Sequence, residues 1–131
     1  MTTMPPIVSI DQIAEYPDAV FADVRWYLDG TDARAVYEAG HLPGAIFIDL
    51  EHDLSTPALS PAAGRHPFPD PEAFAAAMSS NGIGDDSTVI AYDDTGGMTA
   101  GRLVVMLRSS DATLQYSTAA WLNGRHSATT R

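Results

Sequence analysis

An α/β fold with a mainly parallel sheet is the class this sequence predicts, and three observations predict it. Short, largely apolar runs suited to buried strands recur at residues 19–24, 45–49 and 88–92. Between them lie stretches with helix start and stop signals. The two kinds of segment alternate, and a helix between two strands is the connection that lets them pair in parallel, with helices covering both faces of the sheet. About four to five strands are expected, the usual size for a small domain.

Taken in order, Ile7-Val8 is a short strand, and Ser9 with Gln12 forms a capping box opening a small helix to about Tyr16. Residues 19–24 (AVFADV) form a buried strand. Residues 33–39 form a helix, with Ala33, Val36, Tyr37 and the later Leu42 in phase, stopped by Gly40, Pro43 and Gly44. Residues 45–49 (AIFID) form a second buried strand. Pro57, Pro61, Pro67 and Pro69 make the stretch 51–69 irregular, and a loop of that length in a small domain is usually functional. Asp70-Pro71 starts a helix, cap and first-turn proline together, that runs to about Asn81-Gly82. Residues 88–92 (TVIAY) are a third buried strand, and a helix follows over about 98–107. Residues 112–115 are a last strand candidate, and Ser117 or Thr118 caps a short helix through Trp121.

The chain has 131 residues and a formal charge of -10, from 17 Asp and Glu against 7 cations. One domain spanning 1–131 is expected. A surface this acidic repels phosphate backbones and anionic lipid, which argues against nucleic-acid partners. No stretch approaches the ~18 apolar residues of a membrane span. No signal peptide is visible at the N-terminus, so a cytoplasmic location is the default. There is no cysteine, which removes thiol nucleophiles, persulfides, thiolate metal ligands and disulfides together. There is no lysine either, since all seven cations are Arg, so Schiff-base chemistry and a phosphate-loop lysine are excluded.

In open α/β sheets, ligands gather at the carboxyl ends of strands. Three such ends are visible: Asp23-Val24-Arg25, Asp49-Leu50-Glu51 and Asp93-Asp94-Thr95-Gly96-Gly97. The last is a Gly-rich turn into a helix, which aims backbone N–H groups inward as an anion nest. Its expected occupant is the protein's own Asp93 or Asp94, with Gly96, Gly97 and Thr99 shaping the loop. Simple helix capping is the plainest role for that carboxylate. An acidic metal pocket is disfavoured for want of a neighbouring lysine. The four histidines (41, 52, 66 and 126) lack metal-ligand spacing, so no metal or other cofactor is expected. His41 is expected to bond local backbone, His66 to be a loop residue or to face a site, and Arg102 to pair with Asp93 or Asp94.

The strings Asp23-Val24-Arg25-Trp26 and Tyr37-x-x-Gly40-His41-Leu42-Pro43-Gly44-Ala45-Ile46-Phe47 resemble the opening of a rhodanese-like domain. Arg65-His66-Pro67-Phe68-Pro69 with Pro71-Glu72-Ala73-Phe74 resembles the first domain of tandem thiosulfate and 3-mercaptopyruvate sulfurtransferases. So does Tyr92-Asp93-Asp94-x-Gly96-Gly97-Met98-x-Ala100-x-Arg102. The resemblance runs over about residues 7–108, and 109–131 are atypical. It implies a divided enzyme, in which a second domain carries a cysteine that takes sulfur as a persulfide and passes it on. The first domain supplies one wall of the cleft. Matching Thr99-Ala100 to the end of the cysteine loop puts Asp94 at the cysteine position, so this chain alone is expected to be inactive. The resemblance further places Glu51, Asp49, Arg65 and His66 toward the cleft, and a cysteine-bearing rhodanese domain or chain as the partner. The alternatives are a stand-alone non-catalytic binding module and a truncated gene product.

Overall fold

In the computed structural model the described residues are 7–56, 66–84, 87–108 and, for backbone alone, 119–123. The strands are β1 (Ile7–Ser9), β2 (Val20–Asp23), β3 (Ile46–Phe47), β4 (Val89–Tyr92) and β5 (Ala119–Asn123). They form one five-stranded sheet in the order β1-β5-β4-β2-β3, and every pairing is parallel. The helices are α1 (Ala33–Ala39), α2 (Leu50–Asp53), α3 (Pro71–Ser80) and α4 (Met98–Arg108), with a 3-10 helix at Ile10–Glu15.

β4 shows why the sheet has two covered faces. All four of its residues are buried, and their side chains alternate. Val89 and Ala91 join a cluster with Leu54, Phe74, Met78, Leu103 and Leu107, beneath α3 and α4. Ile90 and Tyr92 point the other way, to Val8 and Ala45, with Ile13, Tyr16 and Leu42 packed around them. The near-continuous apolar sequence of this strand is the mark of burial on both sides.

Local signals set the ends of most helices. Asp32 caps α1 by accepting from the N–H groups of Arg34 and Ala35, and Gly40 closes it. Asp70 accepts from Ala73 N–H at the start of α3, with Pro71 in the first turn. The Ser9 N–H donates to Gln12 Oε1 at 2.8 Å, one half of the expected box.

Two expectations fail. The strand foreseen over 45–49 stops at Phe47, because Asp49 turns the chain by capping α2, its Oδ1 accepting from Glu51 N–H at 2.9 Å. The irregular stretch therefore begins with a helix. The short helix foreseen through Trp121 is instead β5, whose backbone pairs with β1 on one side and β4 on the other. Two ladders satisfy more backbone groups than one isolated turn of helix, and tertiary pairing overrides local preference there. The strand foreseen at 112–115 lies outside the described residues.

At the carboxyl end of the sheet a buried carboxylate joins β2, β4 and the turn after α1. Asp23 is fully buried and holds the Arg25 guanidinium, with Nη2 donating to Oδ2 at 2.6 Å and Nε to Oδ1 at 3.0 Å. Tyr92 O–H donates to Oδ2 at 2.9 Å, and the Tyr92 oxygen accepts from Leu42 N–H at 3.0 Å. Arg25 Nη2 also reaches Gly40 O. Burial, together with the neighbouring Asp23 carboxylate, pushes the Tyr92 phenol well above its usual range, so it remains a donor. Removing one partner strands the others. We expect Asp23→Ala to cost about 3–5 kcal/mol in urea unfolding and Tyr92→Phe about 1–2 kcal/mol. Equal losses from the two variants would contradict this arrangement.

Candidate functional site

The loop between β4 and α4 is built around one carboxylate. Asp93 Oδ1 accepts from the N–H groups of Thr95 (3.0 Å) and Gly97 (2.9 Å). Its Oδ2 accepts from Thr99 N–H (2.9 Å), Thr99 Oγ1 (3.1 Å) and Ala100 N–H (2.7 Å). Gly96 and Gly97 have φ of 74° and 96°, a left-handed conformation that side chains resist, and these two residues let the N–H groups converge. The nest thus holds an anion, and the anion is Asp93. Asp94 lies outside it, exposed, where its Oδ2 accepts from Tyr27 O–H at 2.7 Å. The position matched to the family cysteine is therefore not the one that fills the nest. Burial and the bond to Asp94 push the Tyr27 phenol up to about 12.

A second group assembles beside this loop. Trp26 Nε1–H donates to Glu51 Oε2 at 3.1 Å, and His66 Nε2 lies 3.8 Å from the same oxygen. The Trp26 and His66 rings meet edge to face at 5.0 Å. His66 is mostly covered, with 18% of its side chain exposed, while Glu51 is half exposed. β2 delivers Trp26 and Tyr27, α2 delivers Glu51, and the chain before α3 delivers His66. An imidazole packed on an indole with a carboxylate 3.8 Å away is a group that can move a proton at a substrate.

The other sequence-derived candidates fall in different places. Asp49 lines the same groove as Glu51 but makes no bond to His66. Its Oδ1 caps α2, and its Oδ2 accepts from His52 Nδ1 at 2.7 Å, a bond that raises the His52 pKa. Arg65 lies outside the described residues. His41 bonds local backbone as expected, at Tyr37 O (2.6 Å), and stacks on the Tyr37 ring.

Arg102 departs from expectation. It pairs with neither Asp93 nor Asp94, because the loop N–H groups already fill Asp93 and Tyr27 engages Asp94. Its Nε and Nη2 instead donate to Leu54 O (3.1 and 2.8 Å), Nη2 also to His66 O (2.7 Å), and its guanidinium lies over the Phe68 ring. Trp26 and Phe68 stood in the strings that carry the resemblance but were given no role, and Tyr27 was not singled out. The signal for Trp26 and Tyr27 is that they follow the end of β2.

A groove runs from Trp26, Tyr27 and Glu51 to Thr31, Arg34 and Phe47. Among the described residues, no group of three or more His, Asp or Glu is placed to hold a metal ion. No helix among them is long and apolar enough to cross a membrane.

The family model described as "Rhodanese-like domain" matches residues 9–125. The chain belongs to the rhodanese-like family. A protein of Pseudomonas aeruginosa named "Probable 3-mercaptopyruvate sulfurtransferase" is 44% identical over 87 residues, covering 66% of this chain and 31% of that protein. The 3-mercaptopyruvate sulfurtransferase of Escherichia coli K12 is 36% identical over 110 residues, covering 78% of this chain and 37% of its own length. Among solved structures, 3-mercaptopyruvate sulfurtransferase from Leishmania major aligns with a TM-score of 0.75 at 27% identity, over 94% of this chain and 34% of that one. The chain thus spans about a third of the length of these relatives.

The two neighbouring aspartates are expected to differ sharply. Asp93→Asn should destabilise by about 2–4 kcal/mol, because an amide cannot accept all five bonds and sets its own NH2 against the loop donors. Asp94→Ala, at an exposed site, should cost about 1 kcal/mol or less. Thermal melts of both variants check this, and a larger loss at Asp94 would refute the assignment of the nest.

Proposed function

We propose that this chain is the cleft-wall half of a thiosulfate or 3-mercaptopyruvate sulfurtransferase, inactive alone and completed by a cysteine-bearing rhodanese-like domain. The observation that carries the proposal is the filled loop. In the loop where a catalytic rhodanese domain would carry its cysteine, this chain has no thiol: Asp94 stands at the matched position, and Asp93 beside it closes the nest.

In the completed site, the partner's thiolate attacks the outer sulfur of thiosulfate, the sulfur–sulfur bond breaks, and sulfite leaves a persulfide behind. A thiol or cyanide then takes the terminal sulfur and restores the thiolate. With 3-mercaptopyruvate the carbon–sulfur bond breaks instead, and the thiol's proton ends on the methyl group of pyruvate. His66 and Glu51 are assigned to hold and deliver that proton. Asp94 with Tyr27 lines the same wall. Leu28, Phe68 and Met98, each more than 60% exposed and each in a loop or first turn at this end of the fold, support docking of a second domain here.

The Asp93-filled loop also favours a second reading, a stand-alone binding module in which the loop is purely structural. Assay of the purified chain with thiosulfate and cyanide, and with 3-mercaptopyruvate and a thiol, tests both. We expect no turnover above buffer from the chain alone, and turnover restored or raised when a cysteine-bearing rhodanese domain is added. Turnover that co-purifies with the chain and survives thiol alkylation would defeat the proposal. A cysteine-bearing domain that neither binds nor is stimulated would favour the binding module.

A further inference from the structure

The backbone of residues 54–56, which follows α2, and that of residues 66–68, which precedes α3, are tied together at a neck. Thr56 N–H donates to Pro67 O at 3.0 Å, one direct tie. The second runs through a side chain from elsewhere: Arg102, on α4, donates to Leu54 O on one side and His66 O on the other. Phe68 flanks it, with the guanidinium carbon 4.3 Å from the ring centroid. Arg102 therefore spends its donors on carbonyl oxygens, an unusual use for a guanidinium, which ordinarily seeks carboxylates. Burial lowers its pKa, yet a guanidinium keeps its charge at any physiological pH.

We propose that Arg102 is the positioning residue for the His66–Glu51 pair, clamping the His66 backbone so that its imidazole stays against Trp26 and beside Glu51. The proposal rests on the cleft-wall reading for its purpose but not for its test. Three contacts fix the His66 side: Arg102 on its carbonyl, the Trp26 ring on its edge, and Glu51 facing Nε2. Only the first holds main chain. Without it, the neck keeps the Thr56–Pro67 bond, but the His66 carbonyl loses its donor and the ring loses its fixed approach. Arg102 acts through the His66 main chain, whereas Glu51 and His66 carry the side chains assigned to the proton.

The Trp26 indole N–H is a built-in reporter, since it donates to the Glu51 oxygen that faces His66. In an NMR pH titration of the chain, the indole cross-peak, assigned with Trp26→Phe, should move in step with the His66 ring resonances. In a His52→Gln background, which removes the other imidazole coupled to Glu51, His66→Gln should abolish that movement. Glu51 is the acid beside His66, so Glu51→Gln separates its own titration from that of the imidazole. Arg102→Met should shrink the linked movement by about threefold or more, because the field of the imidazolium falls with distance. Arg102→Lys, which can still donate to both carbonyls, should restore most of it. A folded Arg102→Met with the full wild-type movement would overturn the proposal, since a merely structural arginine would lower the melting temperature without uncoupling the two rings. Should Arg102→Met fail to fold, Arg102→Gln takes its place, and an undiminished movement there is equally fatal. Because no turnover is measured, loss of the sulfurtransferase reading would leave this result standing.

Discussion

The interaction on which the rest of this structure depends is the Asp93 carboxylate and the five donors it gathers. It closes the turn out of the central strand β4 and fixes where α4 begins. α4 in turn places Leu103 and Leu107 in the core and Arg102 at the neck of the chain between α2 and α3. That neck sets His66 against Trp26 and Glu51. One short loop thus governs both the packing of a face of the sheet and the position of the groups assigned to the cleft. Its anion-binding geometry serves stability because the anion is internal and covalently attached.

A second carboxylate works at the neighbouring strand. Asp23 binds Arg25 and Tyr92, and through them reaches Gly40 and Leu42. This holds the ends of β2 and β4 level, so that Trp26 and Tyr27, which follow β2, emerge beside the Asp93 loop. A buried charge is costly unless every partner is supplied, and here no buried side-chain nitrogen or oxygen among the described residues lacks one. The acidic character of the chain is in this respect misleading, since two of its carboxylates are interior supports rather than solvated surface.

The fold was legible where local chemistry decides. Asp32 and Gly40 bracket α1, Asp70-Pro71 opens α3, and the apolar run of β4 announces a strand buried on both faces. It was illegible where distant partners decide. Residues 119–123 are too short and too evenly apolar for periodicity to separate strand from helix, and pairing with β1 and β4 makes the choice. Asp49 looked like the end of a strand, though an Asp followed by Glu51 and Asp53 is also a helix start. At the site, the rhodanese-like motifs brought Glu51 and His66 forward, and the structure sets them side by side. Arg102 was misread because the nearest carboxylates in sequence seemed its natural partners. Those carboxylates were already taken, and only the three-dimensional course of the chain brings two carbonyls within its reach.

The most direct test of the central claim, that the loop is closed by its own carboxylate, is a titration of the labelled chain with thiosulfate, followed at the amides of Thr95, Gly97, Thr99 and Ala100. With Asp93 seated in the nest, none of these resonances should move beyond the general effect of salt. A saturable displacement of the four together would show that the loop accepts an external anion, and the account of this chain as a closed cleft wall would be wrong.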